Sequence, residues 1–363
     1  MAVSRINEAG LNVNQYGNRN VIINGAMTVA QRGTSVTGIT SSGYQTLDRF
    51  KTSGSAGGTW TMAQTAITDL AQFAQSLKMD VTTAKSSPDS GSSFRIQTLL
   101  EGQDLQRFAK GTSSAKEYSL SFYVKGTTTG TYIVEFYDVD NTRHVSKAYT
   151  IDAANTWEYK TLLFPADTTG AFDNDNASSL IISWYLMAGS DLTSGTLQQT
   201  WGAASNTTRA SGQVNLAAST SNDWQITGVQ LEVGDTATDF EHRSFADELA
   251  RCQRYFLRSY DYGTATGTAT SVGAQSSTAA VSQTYASAGT YNFPVEMRAT
   301  PTVTLYSTAN ASTTGKVSAD GTDGTGSASF VGTNSVFVLR SNDSTGVSAN
   351  IIMKAHLTAS SEL

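Results

Sequence analysis

Apolar and polar residues alternate along much of the chain, and the alternation is clearest between residues 118 and 126. Leu120, Phe122 and Val124 fall on one side, whereas Ser121 and Tyr123 fall on the other. A period of two residues indicates a β-strand with one buried face. The stretch therefore predicts a strand that packs Leu120, Phe122 and Val124 into a core.

Four further stretches repeat this pattern, at residues 131–140, 156–164, 180–189 and 224–233. Clusters of Gly, Ser, Thr, Asn and Asp separate them, as is typical of an antiparallel β-sandwich or jelly roll. Strand patterning begins at Val21, in a short apolar run that an Asn24-Gly25 turn interrupts. We therefore predict a jelly-roll domain over residues 21–243. Residues 69–78 predict a weak helix or, alternatively, an edge strand with bulges.

One clear helix follows, and we predict that it links two domains over residues 244–258. Ser244 is a good N-cap, and Asp247 occupies the capping-box position three residues later. The helix carries one apolar stripe, formed by Phe245, Leu249, Cys252 and Phe256. A short helix is marginal alone, so this stripe must pack either against its own jelly roll or around a threefold axis shared by three copies.

The chain beyond the helix is rich in small polar residues and predicts a smaller β-sandwich, a tip domain, over residues 259–363. Residues 293–307 predict a strand of this domain with Pro294 and Pro301 at edge or entry positions. At the other end, residues 1–20 are polar and weakly patterned, which indicates an attachment arm. The sequence thus predicts a mainly β protein in which an arm precedes the jelly roll, the linking helix and the tip.

Composition excludes several classes of function. The chain has 363 residues, only 15% of them charged, with a net charge of −6 and no dense basic run, so no nucleic acid partner is expected. Cys252 is its single cysteine, which excludes an internal disulfide framework and a cysteine-based zinc site. No apolar run is long enough for a membrane span, and the first 20 residues show no secretory signal core. We expect no membrane insertion.

Candidate catalytic residues are few. The three histidines are far apart in sequence, and no nucleophile elbow, zinc-binding helix or phosphate-binding loop occurs. Paired acids that could cleave a glycan are Asp138 with Asp140 and Asp173 with Asp175. Because both pairs lie in turn-rich segments, we favour a role in turns, and we predict no catalytic residue and no enzymatic activity.

Oxygen and nitrogen ligands for a hard cation are available just before the helix, at Asp235, Asp239, Glu241 and His242. Asp320 and Asp323 offer a second acidic loop. Both segments are also typical of polar turns, which is the interpretation that we favour. We therefore predict no metal ion and no cofactor.

Aromatic residues provide the remaining candidate chemistry, because sugar C–H faces stack on rings while amides and hydroxyls bind sugar hydroxyls. Three tryptophans lie in strand patterns and are expected in the core: Trp157, Trp184 and Trp224. Trp201 lies in a loop context, and Tyr285 and Tyr291 flank a hairpin-like segment of the tip. The candidate glycan-binding residues are Trp201, Tyr285 and Tyr291.

Several segments resemble tailed-bacteriophage tail fibre and receptor-binding proteins. They are NVIINGAMTVAQRGTS with YQTLDRF, then ITGVQLEVGDTATDFEHRSFADELARCQRYF, then FPVEMRATPTVTL. The order Gly-Val-Gln-Leu-Glu, Asp-Phe-Glu and Glu-Leu-x-x-Cys-Gln-Arg-Tyr-Phe is specific. The strands YSLSFYVKG, TWEYKTLLF and ITGVQLE are more loosely similar to carbohydrate-binding modules of the jelly-roll type.

This resemblance implies a virion protein that is assembled in the host bacterial cytoplasm and forms a homotrimer. It implies attachment to a tail or baseplate protein through residues 1–20 and binding to a host surface glycan. A capsid head fibre or decoration protein is the first alternative, and a surface-polysaccharide depolymerase is the second. Many such sugar-binding modules carry an aspartate in the closing strand, whereas here Asp223 lies just before residues 225–229.

Overall fold

The computed structural model describes residues 18–55, 57–279, 285–341 and 348–363. Twelve strands make up the first part of the chain. They are β1 (Ser35–Ile39), β2 (Lys51–Ser55), β3 (Thr59–Ala66), β4 (Gln75–Thr83), β5 (Ser93–Glu101), β6 (Tyr118–Gly126), β7 (Gly130–Asp138), β8 (Arg143–Ile151), β9 (Glu158–Phe164), β10 (Ser178–Ala188), β11 (Gly202–Ala203) and β12 (Asp223–Val233). A short helix, α1 (Ser190–Thr193), follows β10.

These strands form two six-stranded antiparallel sheets. The first sheet has the order β1-β3-β4-β12-β6-β9, and the second has the order β11-β8-β7-β10-β5-β2. The mainly β prediction is confirmed, and each of the five alternating stretches named from the sequence coincides with a strand. The alternation succeeds here because one side of each strand faces a core and the other faces away from it.

The core lies between the two sheets and is dominated by aromatic side chains. Trp60, Trp184 and Trp224 are fully buried. Phe122 of the first sheet meets Trp184 of the second edge to face, with ring centroids 6.1 Å apart. Phe136 and Phe164 stack with centroids 3.7 Å apart. Such rings bury large apolar areas and contribute strongly to the packing of the two layers.

Two local predictions are corrected by the structure. The stretch from Val21 forms no strand, although the Val21 amide donates to the Leu231 carbonyl and the chain turns at Asn24. Residues 69–78 are not helical, because β4 begins at Gln75 and pairs with both β3 and β12. Pairing with β3 along most of the strand and with β12 at residues 77–80 satisfies many of its backbone groups, which outweighs a weak helical pattern.

The predicted linking helix is shorter than expected. The helix α2 (Phe245–Gln253) begins after Ser244, whose hydroxyl accepts the Asp247 amide at 3.1 Å, so the predicted cap is confirmed. The helix ends before Phe256, which belongs to β13 (Phe256–Arg258). The prediction that Phe256 continues the apolar stripe of the helix is therefore wrong.

The stripe residues have separate environments. Cys252 and Phe256 are buried within the chain, Leu249 is half-buried, and Phe245 is 46% exposed. The Arg32 guanidinium lies 3.7 Å from the Phe256 ring centroid. Burial against the same chain therefore accounts for Cys252 and Phe256, and only Phe245 keeps a largely open face.

The strands after α2 form one antiparallel sheet around a second core. They are β13, β14 (Gln275–Thr278), β15 (Tyr285–Asn292), β16 (Thr302–Tyr306), β17 (Lys316–Ala319), β18 (Thr322–Ser329), β19 (Ser335–Ser341) and β20 (Ile352–Ser360). The long strand β20 pairs with β13, β14, β16 and β17. The Gln275 amide reaches the Ala288 carbonyl at 3.4 Å, so β14 and β15 meet and the sheet curls back on itself.

Charged residues join the two parts of the chain. Arg49 pairs with Glu362, and Arg32 donates to the same carboxylate at 3.0 Å. The Gln31 amide donates to the Phe256 carbonyl at 2.7 Å. In the part of the chain that the structure describes, no helix is long and apolar enough to cross a membrane.

Candidate functional site

A cluster of aromatic rings lies on the outer face of the first sheet, on the side opposite the core. We call it the aromatic platform and define it as Phe73, Tyr123, Trp157, Tyr159, Phe240 and His242. Tyr159 is 48% exposed, and its ring centroid lies 4.9 Å from that of Tyr123. Phe73 lies 5.4 Å from Tyr123. Phe73 itself is only 5% exposed, so the more exposed rings around it, above all Tyr159, form the surface that an apolar ligand face can contact.

Strand register places the two tyrosines side by side. Tyr123 of β6 pairs directly with Tyr159 of β9, and on its other side with Thr227 of β12. Directly opposed residues on one face of an antiparallel pair approach closely. The alternation that buries Leu120, Phe122 and Val124 therefore also sends Tyr123 outward.

Gly228 makes room for Phe73. This glycine has a φ of +62° and lies where the register of β12 against β6 shifts between Thr227 and Gln230. A β-carbon at this position would lie 2.6 Å from Cζ of Phe73 and 3.1 Å from a ring carbon of Tyr123. A bulge with a glycine in the left-handed region thus lets the ring pack directly against the backbone.

The segment between β12 and α2 adds two rings by alternation. Phe240 and His242 contact Phe73, with centroid distances of 5.1 and 5.3 Å. The residues between and after them point elsewhere: Glu241 accepts the Asn20 amide at 2.8 Å, and Arg243 donates to the Ile22 carbonyl at 3.0 Å. The Asp-Phe-Glu-His-Arg motif therefore closes the platform on one side and ties down the beginning of the described chain on the other.

Polar groups border the rings. The Trp157 indole donates to Asp69 at 2.9 Å, and Lys125 lies 4.9 Å from that ring while it pairs with Asp69 at 3.0 Å. Gln225 of β12 pairs directly with Lys125 of β6, and its side chain accepts a hydrogen bond from the Ser76 hydroxyl at 3.2 Å. Rings flanked by amide, ammonium and carboxylate groups match the composition of a site for a hydroxyl-rich ligand.

Ionisation of the platform is simple near neutral pH. Burial, and then the neighbouring Tyr159 and Asp239, raises the pKa of Tyr123. Its hydroxyl therefore keeps its proton and can donate as well as accept a hydrogen bond. The Lys125 and Trp157 hydrogen bonds lower the pKa of Asp69 even though burial opposes them, the Lys125 bond being the largest influence. Asp69 thus stays an acceptor.

The residues predicted for glycan binding are not brought together. Trp201 is half-buried against the first core, and its indole donates to the Pro165 carbonyl at 2.9 Å. Tyr291 is half-buried against the second core, 6.0 Å from Phe293. The backbone of Tyr285 pairs with Ser341, whereas its side chain lies outside the described residues. The structure thus gives Trp201 and Tyr291 packing contacts in two different cores.

Trp157 is a correction in the opposite sense. The sequence pattern predicts a core residue, but β9 begins at Glu158 and Trp157 lies half-exposed just before it. Trp184 and Trp224 are buried as predicted. The error arises because alternation fixes faces only within a strand.

The paired acids make turn and core interactions. Asp138 is fully buried and pairs with Lys110 at 2.5 Å, while it accepts the Asn141 amide at 3.1 Å. Asp140 accepts the Asp173 amide at 3.0 Å, and Asp175 accepts the Ala177 amide at 2.9 Å. These hydrogen bonds support the interpretation as turns. Within the described ranges, no group of three or more His, Cys, Asp or Glu side chains could hold a metal ion.

On the outer face of the second sheet, the segment that contains Arg209 covers the charged side chain of Glu135. Glu135 is fully buried and accepts both Arg209, at 2.5 and 2.8 Å, and the Tyr185 hydroxyl at 3.1 Å. Burial alone would raise the pKa of Glu135, but His144 and Arg209 hold it at about 2. The Ser146 hydroxyl donates to the Arg209 carbonyl at 2.8 Å and fixes the covering segment. This face therefore uses its charges internally, unlike the aromatic platform.

Sequence reasoning missed most of the platform, although part of its signal was visible. The alternation predicts Tyr123 on the face opposite the core, and Tyr159 occupies the equivalent position of a neighbouring strand. Phe73 lies in the loop between β3 and β4, which the pattern assigned to a helix or an irregular edge strand. Phe240 and His242 lie in a segment considered for metal ligands. Only the fold brings these four segments together.

No protein-family model and no curated protein sequence matches the chain. Among solved structures, it is similar to the enzymatically active domain of bacteriophage CBA120 tailspike protein 4, with 15% identity, a TM-score of 0.31, and coverage of 59% of this chain and 21% of that chain. The match thus spans about a fifth of the tailspike domain's length.

Carbohydrate-binding modules are also among the similar structures. The family 11 module of cellulase Lic26A-Cel5E of Clostridium thermocellum has 12% identity and a TM-score of 0.27, with coverage of 56% of this chain and 98% of that chain. A module of family 61 in complex with β-1,4-galactotriose has 11% identity, a TM-score of 0.29, and coverage of 60% and 99%. Values this low carry no argument about the site.

Proposed function

We propose that the chain is a non-enzymatic glycan-binding protein whose aromatic platform contacts a surface polysaccharide. The observation that carries the proposal is the pairing of Tyr123 with Tyr159 on an outer sheet face, beside Phe73. The C–H faces of a sugar ring gain dispersion contacts on such rings. The hydroxyls of the same sugar can bind Asp69, Lys125 and Gln225 at the border.

The biological setting that we propose is a bacteriophage tail fibre that attaches to host cell-surface glycans. The resemblance of the segments around Gly228 and Phe240 to tail fibre proteins supports this setting. Phe240 belongs to the platform and Gly228 packs against its Phe73 ring, so the most specific part of the resemblance falls on and beside the proposed site. In a homotrimer, three weak platforms would act together and raise the effective affinity well above that of one site.

The absence of catalysis is part of the proposal. Asp138 is engaged with the buried Lys110, and Asp140 and Asp175 accept backbone amides in their turns. A glycosidase needs one carboxyl group that donates a proton and a second that acts as base or nucleophile. Incubation with bacterial surface polysaccharide should release no new reducing ends; release that Asp138→Asn or Asp173→Asn abolishes would show a depolymerase instead.

The binding proposal is tested with the purified full chain on an array of bacterial surface polysaccharides, followed by calorimetric titration with the best oligosaccharide. Tyr159→Ala and Tyr123→Ala should each weaken binding about tenfold or more, which corresponds to about 1.4 kcal/mol. Leu163→Ala is the matched control, because Leu163 is 41% exposed on the same strand but lies outside the platform.

Thermal unfolding of each variant checks that the fold is intact. Tyr159 is half-exposed, so its truncation should change stability little. Binding that survives both tyrosine substitutions at wild-type affinity would overturn the proposal, as would the lack of any polysaccharide ligand.

A further inference from the structure

The C-terminal sheet carries a cavity of about 420 Å³ that is separate from the platform. It lies where the start of β20 meets the turn between β17 and β18 and the loop after β16. Residues that line it include Ser271, Thr308, Asp320, Asn350, Ile352 and Lys354. Its volume is within the usual range for small-molecule sites.

Opposite charges face this cavity without neutralising each other. The Lys354 ammonium donates to the Ser271 hydroxyl at 3.3 Å, and it takes part in none of the ion pairs among the described residues. Asp320 is exposed at the turn after β17, with a φ of +47°. The cavity thus combines a cation with an anion and an apolar surface, because Ile352 is 51% exposed.

A hydrogen-bond network holds one wall of the cavity. Asp323 accepts the hydroxyls of Ser307 and Ser318 at 2.7 and 2.6 Å and the Asn310 amide at 2.8 Å. The Ser307 oxygen in turn accepts the backbone amides of Ala309 and Asn310 at 3.0 and 2.8 Å. Burial would raise the pKa of Asp323, but these hydrogen bonds lower it, so the network persists near neutral pH. Preorganised walls reduce the entropy lost on binding.

We propose that this cavity binds a single acidic sugar residue of the hexuronic acid class. The sugar carboxylate would pair with Lys354, its hydroxyls would donate to Asp320, and its C–H face would pack on Ile352. The inference rests on the proposed function in taking a glycan as the ligand, but it uses none of the platform residues. It assigns the C-terminal domain a charge-selective site beside a platform that contacts sugars through ring faces.

The test uses saturation-transfer NMR on the full chain with two probes, methyl β-D-glucuronide and methyl β-D-glucoside. The glucuronide should bind with a millimolar dissociation constant, at least tenfold more tightly than the glucoside, and added salt should weaken it. Lys354→Met should weaken glucuronide binding at least tenfold and leave the glucoside unchanged. Asp320→Asn should weaken binding of both probes.

Lys147→Met is the matched control, since Lys147 lies half-buried on β8 of the other domain, and it should bind both probes like wild type. Equal affinity for the two probes, or a Lys354→Met variant that still prefers the glucuronide, would overturn the inference. Tyr159→Ala should not change glucuronide binding. If wild type does not bind the glucuronide but Tyr159→Ala loses polysaccharide binding, this site is refuted and the platform is supported. If wild type binds the glucuronide but Tyr159→Ala keeps polysaccharide binding, the platform alone is refuted.

Discussion

Arg254 and Glu101 form a two-point ion pair that ties the end of α2 to the sandwich. Nε and Nη2 of Arg254 donate to the two carboxylate oxygens of Glu101, at 3.0 and 2.8 Å. Glu101 ends β5 and is fully buried, so its charge depends on this partner. Burial would raise the pKa of Glu101, but the hydrogen bonds from Arg254 and its neighbours lower it. The helix is thus fixed at its C-terminal end by charge as well as by packing.

Arg254→Met should therefore destabilise the sandwich, by about 3 kcal/mol, because it leaves a buried carboxylate without its partner. Urea unfolding followed by tryptophan fluorescence measures this, since all five tryptophans precede α2. The double variant Glu101→Gln with Arg254→Met should be more stable than Arg254→Met alone. A loss below about 1 kcal/mol in Arg254→Met would show that the pair contributes little.

Asp48 makes stability at the contact between the two parts of the chain depend on pH. The sign is opposite to that for Glu101, because the pKa of Asp48 is raised and that of Glu101 is lowered. Asp48 accepts the backbone amide and the side-chain amide of Gln31 at 2.7 and 2.9 Å. Burial raises its pKa from 3.8 to about 6, although Arg32 and Gln31 oppose the shift. The folded chain therefore holds this proton more tightly than the unfolded chain. Its contribution to stability is complete below about pH 4 and is lost as the pH rises to about 6.

The stability difference between wild type and Asp48→Asn isolates this group, because other carboxylates titrate equally in both. The free energy of unfolding of wild type should fall relative to Asp48→Asn by about 2 kcal/mol between pH 4 and pH 7, since each pKa unit is worth about 1.36 kcal/mol and part of the shift is already lost at pH 4. Urea midpoints at four pH values measure it. A constant difference across this range would contradict the raised pKa.

Sequence reasoning succeeded where one physical cause set the pattern. The strand β6 alternates because its neighbours bury one face, and Ser244 starts α2 because its hydroxyl satisfies a free amide of the first turn. Both effects act within ten residues and can be read locally. It failed at Phe256, which keeps a helical spacing but pairs with Ser360 of β20. That partner lies about a hundred residues away, and no local pattern contains it.

The platform was hidden for the same reason. Tyr123 and Tyr159 face outward in strands that the sequence identified, but their adjacency depends on which strands are neighbours. Phe73 and Phe240 lie in loops, where periodicity carries no information. The turn-like residues around Trp201 predict an exposed side chain, yet loops also bring side chains back to the core, where its indole donates to the Pro165 carbonyl.

Gly228→Ala should disrupt the platform without touching an exposed ring. The added β-carbon would lie 2.6 Å from Phe73 and would strain a residue at φ +62°, so Phe73 must move. We expect oligosaccharide affinity to fall about tenfold and stability to fall by about 1–3 kcal/mol. Calorimetric titration and thermal unfolding measure the two effects. Gly234→Ala is the control, because Gly234 also has a positive φ but nothing lies within 4 Å of its added β-carbon. Equal oligosaccharide affinities in the two variants would show that Phe73 does not support the site.

Phe245 is the exposed large apolar side chain of α2, so we expect any contact between copies of the chain through α2 to involve it. This ring is 46% exposed and meets the 47% exposed Tyr262 edge to face, with centroids 5.1 Å apart, whereas Cys252 is buried within the chain. If a homotrimer forms through this pair, light scattering should give about three times 38.5 kDa for wild type and a lower mass for Phe245→Ser. Phe330→Ser, at a ring that is 86% exposed in the C-terminal domain, should keep the wild-type mass. A monomeric wild type at micromolar concentration would refute trimer formation by the isolated chain, and a trimer that survives Phe245→Ser would place the contact elsewhere.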